Sequence, residues 1–372
     1  MRPVQTLPTF DELVELAREH GIEHLGVAPA EVLTRAREAL HRRKGEGLHA
    51  GMEFTYRNPD RSTDPGRAVD GARCVIVGAR PYLADDTPPR PDGAQGAVAR
   101  YAWTDHYSPL RAGLRVIAGR IRDAGQRAVV FSDDNSIVDR EVAYLAGIGW
   151  FGKNANILLP GAGSWFVLGC VVTTAVYPVA TPLADGCGSC HRCLDGCPTG
   201  AIVAPGVVDA NRCLAWLVQQ PGTFPLEYRE TLGDRFYGCD DCQTVCPPAV
   251  RHGPRHTVAL DHDAQAWVDV LDVLDSSDAD LIDRYGRWYL AGRDPRWWRR
   301  NALIVLGNTG DASDDRTVAT IHRYRTSSDP ILREHADWAA ARLGRDTGGA
   351  TGVGPGGATA LDTAVDIVRS AS

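Results

Sequence analysis

The chain has 372 residues, 44% hydrophobic and 23% charged, which fits a globular protein of two or three domains and excludes a disordered chain or a coiled-coil rod. Its formal net charge of −7 argues against a surface that coats nucleic acid throughout, while leaving room for a local basic patch. The longest apolar candidate, Trp165 to Ala180, holds Thr173, Thr174 and Pro178 and reads as a buried strand, so no membrane span is expected. Met1-Arg2-Pro3-Val4-Gln5 lacks the basic start and apolar stretch of a signal peptide, which points to a cytoplasmic protein.

Residues 1–180 alternate helical and strand patterns, a mixed α/β unit with room for a sizeable pocket. Asp11 to His20 is helical, with Leu13, Leu16 and Ala17 on one face; Glu23 to Val27 is a short strand and Glu31 to Arg43 a basic exposed helix. Cys74 to Ala79 is a buried strand. Pro109 to Ala124 is an amphipathic helix through Leu110, Leu114, Ile117 and Ile121. Arg127 to Phe131 is a strand ending at Ser132-Asp133-Asp134, Ile137 to Ala146 is helical, and Trp165 to Val176 is a sheet strand. Residues 181–254 are loop-rich and hold most of the cysteines. Residues 255–345 read as all-helical, with Arg300 to Gly307, Thr317 to Arg325 and Asp329 to Leu343 resembling HEAT-like pairs; Ile331, Ala336, Ala339 and Ala340 face inward. Residues 346–372 form a tail, Gly-rich and disordered to Ala358, with a short helix over Ala360 to Arg369.

Eight of the ten cysteines fall in one 60-residue window. A disulfide scaffold is out of place in a chain long enough to bury its own core, so the thiols read as metal ligands. The run Cys187-x2-Cys190-x2-Cys193-x3-Cys197-Pro198 has the bacterial ferredoxin spacing, in which the fourth cysteine ligates the other cluster. The second run, Cys239-x2-Cys242-x3-Cys246-Pro247, lacks a first cysteine, and Cys213 is the one unassigned thiol between the runs. The crossed pattern assigns Cys187, Cys190, Cys193 and Cys246 to one [4Fe–4S] cluster and Cys197, Cys213, Cys239 and Cys242 to a second, giving a ferredoxin-like domain. Gly186, Gly188 and Gly238 supply backbone freedom for the turns, and Pro198 and Pro247 steer the chain out of each run. Two zinc sites are the alternative, but zinc favours paired knuckles of four ligands each. Cys74 and Cys170 lie in apolar stretches and read as buried structural thiols. His191 reads as a loop residue.

Further stretches carry a family resemblance: Arg57-Asn58-Pro59, Arg100-Tyr101-Ala102-Trp103, Asp133 before Asp139-Arg140, Gly149-Trp150-Phe151-Gly152-Lys153-Asn154, Gly163-Ser164-Trp165-Phe166, and Tyr237-Gly238-Cys239-Asp240-Asp241-Cys242. With the cysteine runs and Arg300-Asn301-Ala302, they make residues 10–345 resemble the cobalamin-dependent iron–sulfur tRNA epoxyqueuosine reductases. The chain departs from that pattern at Cys246-Pro247-Pro248-Ala249, at His106-Tyr107-Ser108 and at Asp133-Asp134-Asn135-Ser136.

The resemblance implies two-electron reduction of epoxyqueuosine to queuosine at the tRNA wobble position. The reductant is cob(I)alamin fed through two [4Fe–4S] clusters from a low-potential donor such as ferredoxin or flavodoxin, in a monomer. It makes Asp133 the general acid; the alternative is a cap on the following helix, which Asp134 fills as well or better. By family position Arg57, Tyr101, Asn154, Ile157 and Leu168 contact the corrinoid, and Lys153 contacts corrinoid or substrate phosphate unless it is a solvated loop charge. Asp240 and Asp241 either face the corrinoid or accept backbone hydrogen bonds. Arg284, Arg287, Arg293, Arg296, Arg299 and Arg300 lie among Tyr285, Trp288, Tyr289, Trp297 and Trp298, either as a tRNA contact or as a helical core with solvated arginines. Two other functions remain open: a corrinoid iron–sulfur reductase acting on a small molecule, as in reductive dehalogenation, and a non-enzymatic two-cluster electron carrier.

Overall fold

The computed structural model describes residues 6–344, so the tail and its expected helix lie outside the described residues. The first half of the chain folds as three layers. Its sheet has four strands in the order His24–Pro29, Cys74–Pro81, Phe166–Thr173, Ala128–Phe131, and every pairing is antiparallel. Both faces are apolar, so the central strands read as continuous hydrophobic runs. Ile76 and Val171 point to one face, against Leu13 and Ala17 of the Phe10–Glu19 helix and Leu110, Leu114, Ile117 and Ile121 of the Tyr107–Asp123 helix. Val75, Val77, Cys170 and Val172 point to the other, against Ala36 of the Thr34–Gly45 helix and Val142 and Ala143 of the Asp139–Leu145 helix. The two-residue side-chain period thus assigns each strand residue to one core. Cys74 and Cys170 are 1% and 0% exposed within these cores, as expected of structural thiols.

The region from residue 255 onward is not helical from its start. Thr257–Val258 pairs with Leu83–Ala84, and Trp267–Asp269 joins Gln95–Val98 and Arg235–Tyr237 in a three-stranded sheet. These strands are two to four residues long and take their partners from far along the chain, so no local periodicity announces them. Helices run from Val270: Val270–Asp275, Asp278–Tyr285, Arg296–Thr309, Asp315–Arg325 and Pro330–Arg342. Arg296–Thr309 is buried nearly all round, with Trp297, Trp298 and every residue from Arg300 to Gly307 inside. It is the central core helix of this region. Ala336, Ala339 and Ala340 of Pro330–Arg342 are 0% exposed against it, and Ile331 is partly buried. Among the described residues, no helix is long and apolar enough to cross a membrane.

Candidate active site and cluster-binding loops

The two cysteine runs fold into one lobe against the α/β layers. Cys187, Cys190, Cys193 and Cys246 line a single cavity of about 230 Å³ together with Lys153, Asn154 and His252. Cys197, Cys213, Cys239 and Cys242 form a second, more enclosed group whose thiols act on one another electrostatically. The structure thus gathers the thiols into two groups, Cys187, Cys190, Cys193 and Cys246 in one and Cys197, Cys213, Cys239 and Cys242 in the other. Among the described residues no three of these sulfurs lie within 4.8 Å of one another. A zinc tetrathiolate, with Zn–S of about 2.3 Å, needs sulfurs about 3.8 Å apart. Among the described residues, then, these thiols do not stand at the spacing of a zinc tetrathiolate. Burial, then neighbouring thiols, pushes Cys193 up to about 11, and burial, then Asp241, pushes Cys239 up to about 12. These thiols are protonated at neutral pH without metal, so cluster binding releases protons.

The loops are held from the α/β side. Asn154 donates through Nδ2 to the Cys242 carbonyl at 3.2 Å, and the Lys153 ammonium donates to the Gly188 carbonyl at 2.7 Å. Lys153 is thus tied to the first cysteine loop. Buried Gln243 donates to Ser164 O at 3.1 Å and to Tyr82 Oη at 2.9 Å, while the Ala201 amide donates to Cys197 Sγ at 3.2 Å. Gly188 and Gly238 have φ of +50° and +77°, and a Cβ on Gly238 would stand 2.5 Å from Ala99 Cβ. Gly186 serves differently: its φ is ordinary, but a Cβ there would meet the Trp150 ring at 2.7 Å. His191 pairs with Asp195 at 2.5 Å on the surface, away from any ligand role.

Asp133 follows the strand Ala128–Phe131 in a turn where its own φ is +53°, a left-handed conformation that an Asp tolerates at modest cost. Because the sheet is antiparallel, the rule that places sites at the carboxyl ends of parallel strands does not explain this position; the strained turn does. Asp134 accepts the Ser136 amide at 2.7 Å in a local turn, and the following helix begins only at Asp139, with Val138 before it and no side-chain cap, so neither aspartate caps that helix. The Asp133 side chain is open to solvent on one side and crowded by protein on the other. That burial raises its pKa, Arg111 opposes the rise, and Asp134 and Asp105 add to it. Tyr101, Tyr107, Tyr237 and Asp139 all lie within electrostatic reach of Asp133. Burial, then Asp133, raises the pKa of Asp139 far above the usual carboxylate range.

Asp240 links this pocket to the second cysteine group. Its Oδ2 accepts the Arg100 amide at 2.7 Å; burial first of all raises Cys242, Tyr82 and Tyr101, and Asp240 adds to each rise. Asp241 instead pairs with Arg235 at 2.7 Å. Ile157 and Leu168 share the apolar cluster behind Phe131, and Arg57 lies exposed just before the Pro59–Ser62 helix. Three oxygens here are buried without a partner: Ser132 Oγ, Asp139 Oδ1 and Asp240 Oδ1. Orphaned buried oxygens of this kind, a hydroxyl and two carboxyl groups, suit a ligand whose rim carries amides that both donate and accept, as a corrinoid does. Asp139 was not singled out as a site residue from the sequence; the available signal was a carboxylate among Ile137, Val138 and Val142.

The arginine- and tryptophan-rich segment resolves largely as core. Trp288, Trp297 and Trp298 are buried, and Trp288 is stacked between Tyr237 at 4.8 Å and Tyr285 at 4.9 Å. Arg296 pairs with Asp294 and Asp329, Arg299 with Asp278, and Arg287 donates to the Trp103 carbonyl. Arg300 is fully buried. Tyr289, Arg284 and Arg293 are exposed.

A family model described as a 4Fe-4S double cluster binding domain matches residues 186–249. The epoxyqueuosine reductase of Xanthomonas campestris pv. campestris is 34% identical over 351 residues, covering 88% of this chain and 94% of its own. That of Bacillus anthracis is 30% identical over 346 residues, covering 90% and 89%. Among solved structures, an epoxyqueuosine reductase bound to an epoxyqueuosine-modified tRNA-Tyr stem loop superposes with a TM-score of 0.82 at 27% identity, covering 90% of each chain. The Bacillus subtilis enzyme, described with a catalytic aspartate loop swung out of its active site, superposes at 0.79 with the same identity and coverage.

Proposed function

Because this chain belongs to the epoxyqueuosine reductase family and is an oxidoreductase, we propose that it reduces epoxyqueuosine to queuosine at the wobble position of tRNA. The stem-loop complex of a relative favours tRNA over a small-molecule substrate. The reaction breaks both C–O bonds of the epoxide and forms an alkene. It consumes two electrons and two protons, and the oxygen leaves as water.

The observation that carries the reading is Asp133, held in a left-handed turn within electrostatic reach of Tyr101, Tyr107, Tyr237 and Asp139, with its pKa raised by burial. Such a carboxyl keeps its proton closer to neutral pH than a free aspartate and so can protonate the departing oxygen. Its solvent-open side lets it reload. The catalytic aspartate loop described for the Bacillus subtilis enzyme supports the assignment.

The two cysteine groups hold one [4Fe–4S] cluster each, which accept single electrons from a low-potential donor such as a ferredoxin or flavodoxin. A bound cobalamin supplies the strongly reducing centre. Ser132, Asp139 and Asp240 would offer it their unpaired oxygens, and Arg57, Tyr101, Ile157 and Leu168 would line it. Asn154 and Lys153 hold the cluster loops in register with that pocket, and Asp241 fixes Arg235 beneath them. Residues up to 180 form the substrate and corrinoid unit, 181–254 the cluster unit, and the later helices brace both. The protein works as a cytoplasmic monomer.

The test is anaerobic reconstitution followed by turnover of epoxyqueuosine-containing tRNA. The protein should carry about eight irons and one cobalamin and form queuosine. Asp133→Asn should keep both metal contents and lose turnover; queuosine formation at an unchanged rate would remove Asp133 from the chemistry.

A further inference from the structure

Away from the cysteine loops, Glu23 and His24 at the head of the first sheet strand meet His256, which follows the short helical turn Gly253–Arg255. One ligand atom from each of the three lies within 4.8 Å of the other two. Glu23 Oε2 stands 2.6 Å from His256 Nδ1, and the two imidazole centroids are 6.0 Å apart. Phe166 closes one side, its ring 5.5 Å from His24 and 5.9 Å from His256.

The hydrogen bonds around His256 demand a cation. Its Nε2 faces the Gly161 carbonyl at 3.3 Å, and a carbonyl only accepts, so Nε2 carries the hydrogen. A neutral His256 then points the Nδ1 lone pair at the Glu23 carboxylate, two acceptors at hydrogen-bond distance. At this separation a proton makes the contact attractive; a metal ion held by both atoms at about 2.0–2.2 Å would spread them to about 3.3 Å, a shift of well under 1 Å. His24 decides between the two. Its Nε2 is buried with no partner, so an imidazole nitrogen is free in the same cluster. A proton on His256 leaves that nitrogen unsatisfied, whereas a metal ion can take it as a third ligand.

We propose that Glu23, His24 and His256 bind a divalent transition metal ion, zinc by ligand type, through two imidazoles and one carboxylate with a water in the fourth position. The Gly161 carbonyl fixes the His256 tautomer from the second layer, and Phe166 supplies the dry wall. Arg18 and Arg80 are the nearest cations and oppose the ion, so the site is weaker than a four-ligand structural site. Its role is a clasp: it joins the edge strand of the α/β sheet to the segment leading into Thr257–Val258, more than 230 residues away. The proposal is independent of the reductase reading, because none of the three residues is placed in the reaction.

The experiment uses anaerobic cluster-loaded protein equilibrated with zinc and desalted. Zinc is counted by mass spectrometry, and its ligands are read by X-ray absorption at the zinc edge. One zinc per chain with only nitrogen and oxygen neighbours is expected, with a raised thermal midpoint. His256→Ala and His24→Ala should each lose that zinc at unchanged iron content, and Glu23→Gln should weaken it. Equal zinc in wild type and both histidine variants, or sulfur in the zinc shell, overturns the proposal.

Discussion

Arg300 offers the sharpest separation between a nucleic-acid contact and a structural pin. Its guanidinium is fully buried and faces no carboxylate. It donates to four main-chain carbonyls, those of Leu217 at 2.9 Å, Val218 at 3.2 Å, Gln220 at 2.8 Å and Gly222 at 2.7 Å, and to Asn301 Oδ1 at 2.9 Å. These carbonyls end the short Leu214–Leu217 helix, whose N-cap is the ligand candidate Cys213. Burial, then Arg229, pushes the Arg300 pKa down, and the carbonyl oxygens hold the charge in place. Arg300→Met fills similar space but strands those acceptors. Each buried unpaired acceptor costs about 1–3 kcal/mol, and partial relaxation brings the sum to about 3–5 kcal/mol. That corresponds to a thermal midpoint lower by on the order of 10 °C. The assay is thermal unfolding of reconstituted protein together with iron content, which should fall as the Cys213 segment loosens. A variant of wild-type stability and iron content that binds tRNA more weakly would refute this reasoning and return Arg300 to the nucleic-acid surface.

His335 is fully buried, donates from Nδ1 to the Ile331 carbonyl at 2.7 Å and accepts the Phe224 amide at Nε2, so it is neutral in the fold. Burial, then Arg229, pushes its pKa down to about 4 from 6.5, so its contribution to stability is whole above pH 6.5 and is lost as pH falls toward 4. The loss is at most about 3 kcal/mol, and denaturant midpoints of His335→Gln against wild type should show a flatter acid dependence in the variant. Gly238→Ala forces a side chain into a left-handed φ and against Ala99, costing at least about 1–2 kcal/mol, and should lower iron per chain while leaving the circular dichroism of the α/β unit unchanged. Single-turnover rates should fall as pH rises through the raised pKa of Asp133, and a rate flat from pH 6 to 9 would count against a proton from this residue.

Much of the α/β unit was readable in advance because its strands alternate between two cores and its helices carry single apolar stripes. The strand Cys74–Pro81 and the helix Tyr107–Asp123 lie within two residues of their expected bounds. The two cysteine groups could be proposed in advance because ligand geometry is written in local spacing. What the pattern hid was nonlocal. Trp267–Asp269 is a strand only because Gln95–Val98 is there to receive it. Trp297 and Arg300 look like a nucleic-acid surface until the surrounding elements bury them. Asp133 stood out beside a strand end, but the reason for its position is a strained turn in an antiparallel sheet. The carboxylate of Asp139 and the Glu23–His24–His256 cluster needed three dimensions to appear.

The strand Gln95–Val98 has one lasting consequence. It is flanked by Arg235–Tyr237 on one side and Trp267–Asp269 on the other, and Cys239 follows directly on the first of these. The strand leading into Cys239 therefore has its partner from the first third of the chain, and the far edge of that partner is covered only by residues 267–269, which follow the last cysteine, Cys246. Cutting out residues 181–254 as a free-standing electron carrier would strip Arg235–Tyr237 of that neighbour and leave the backbone running into Cys239 and Cys242 without support.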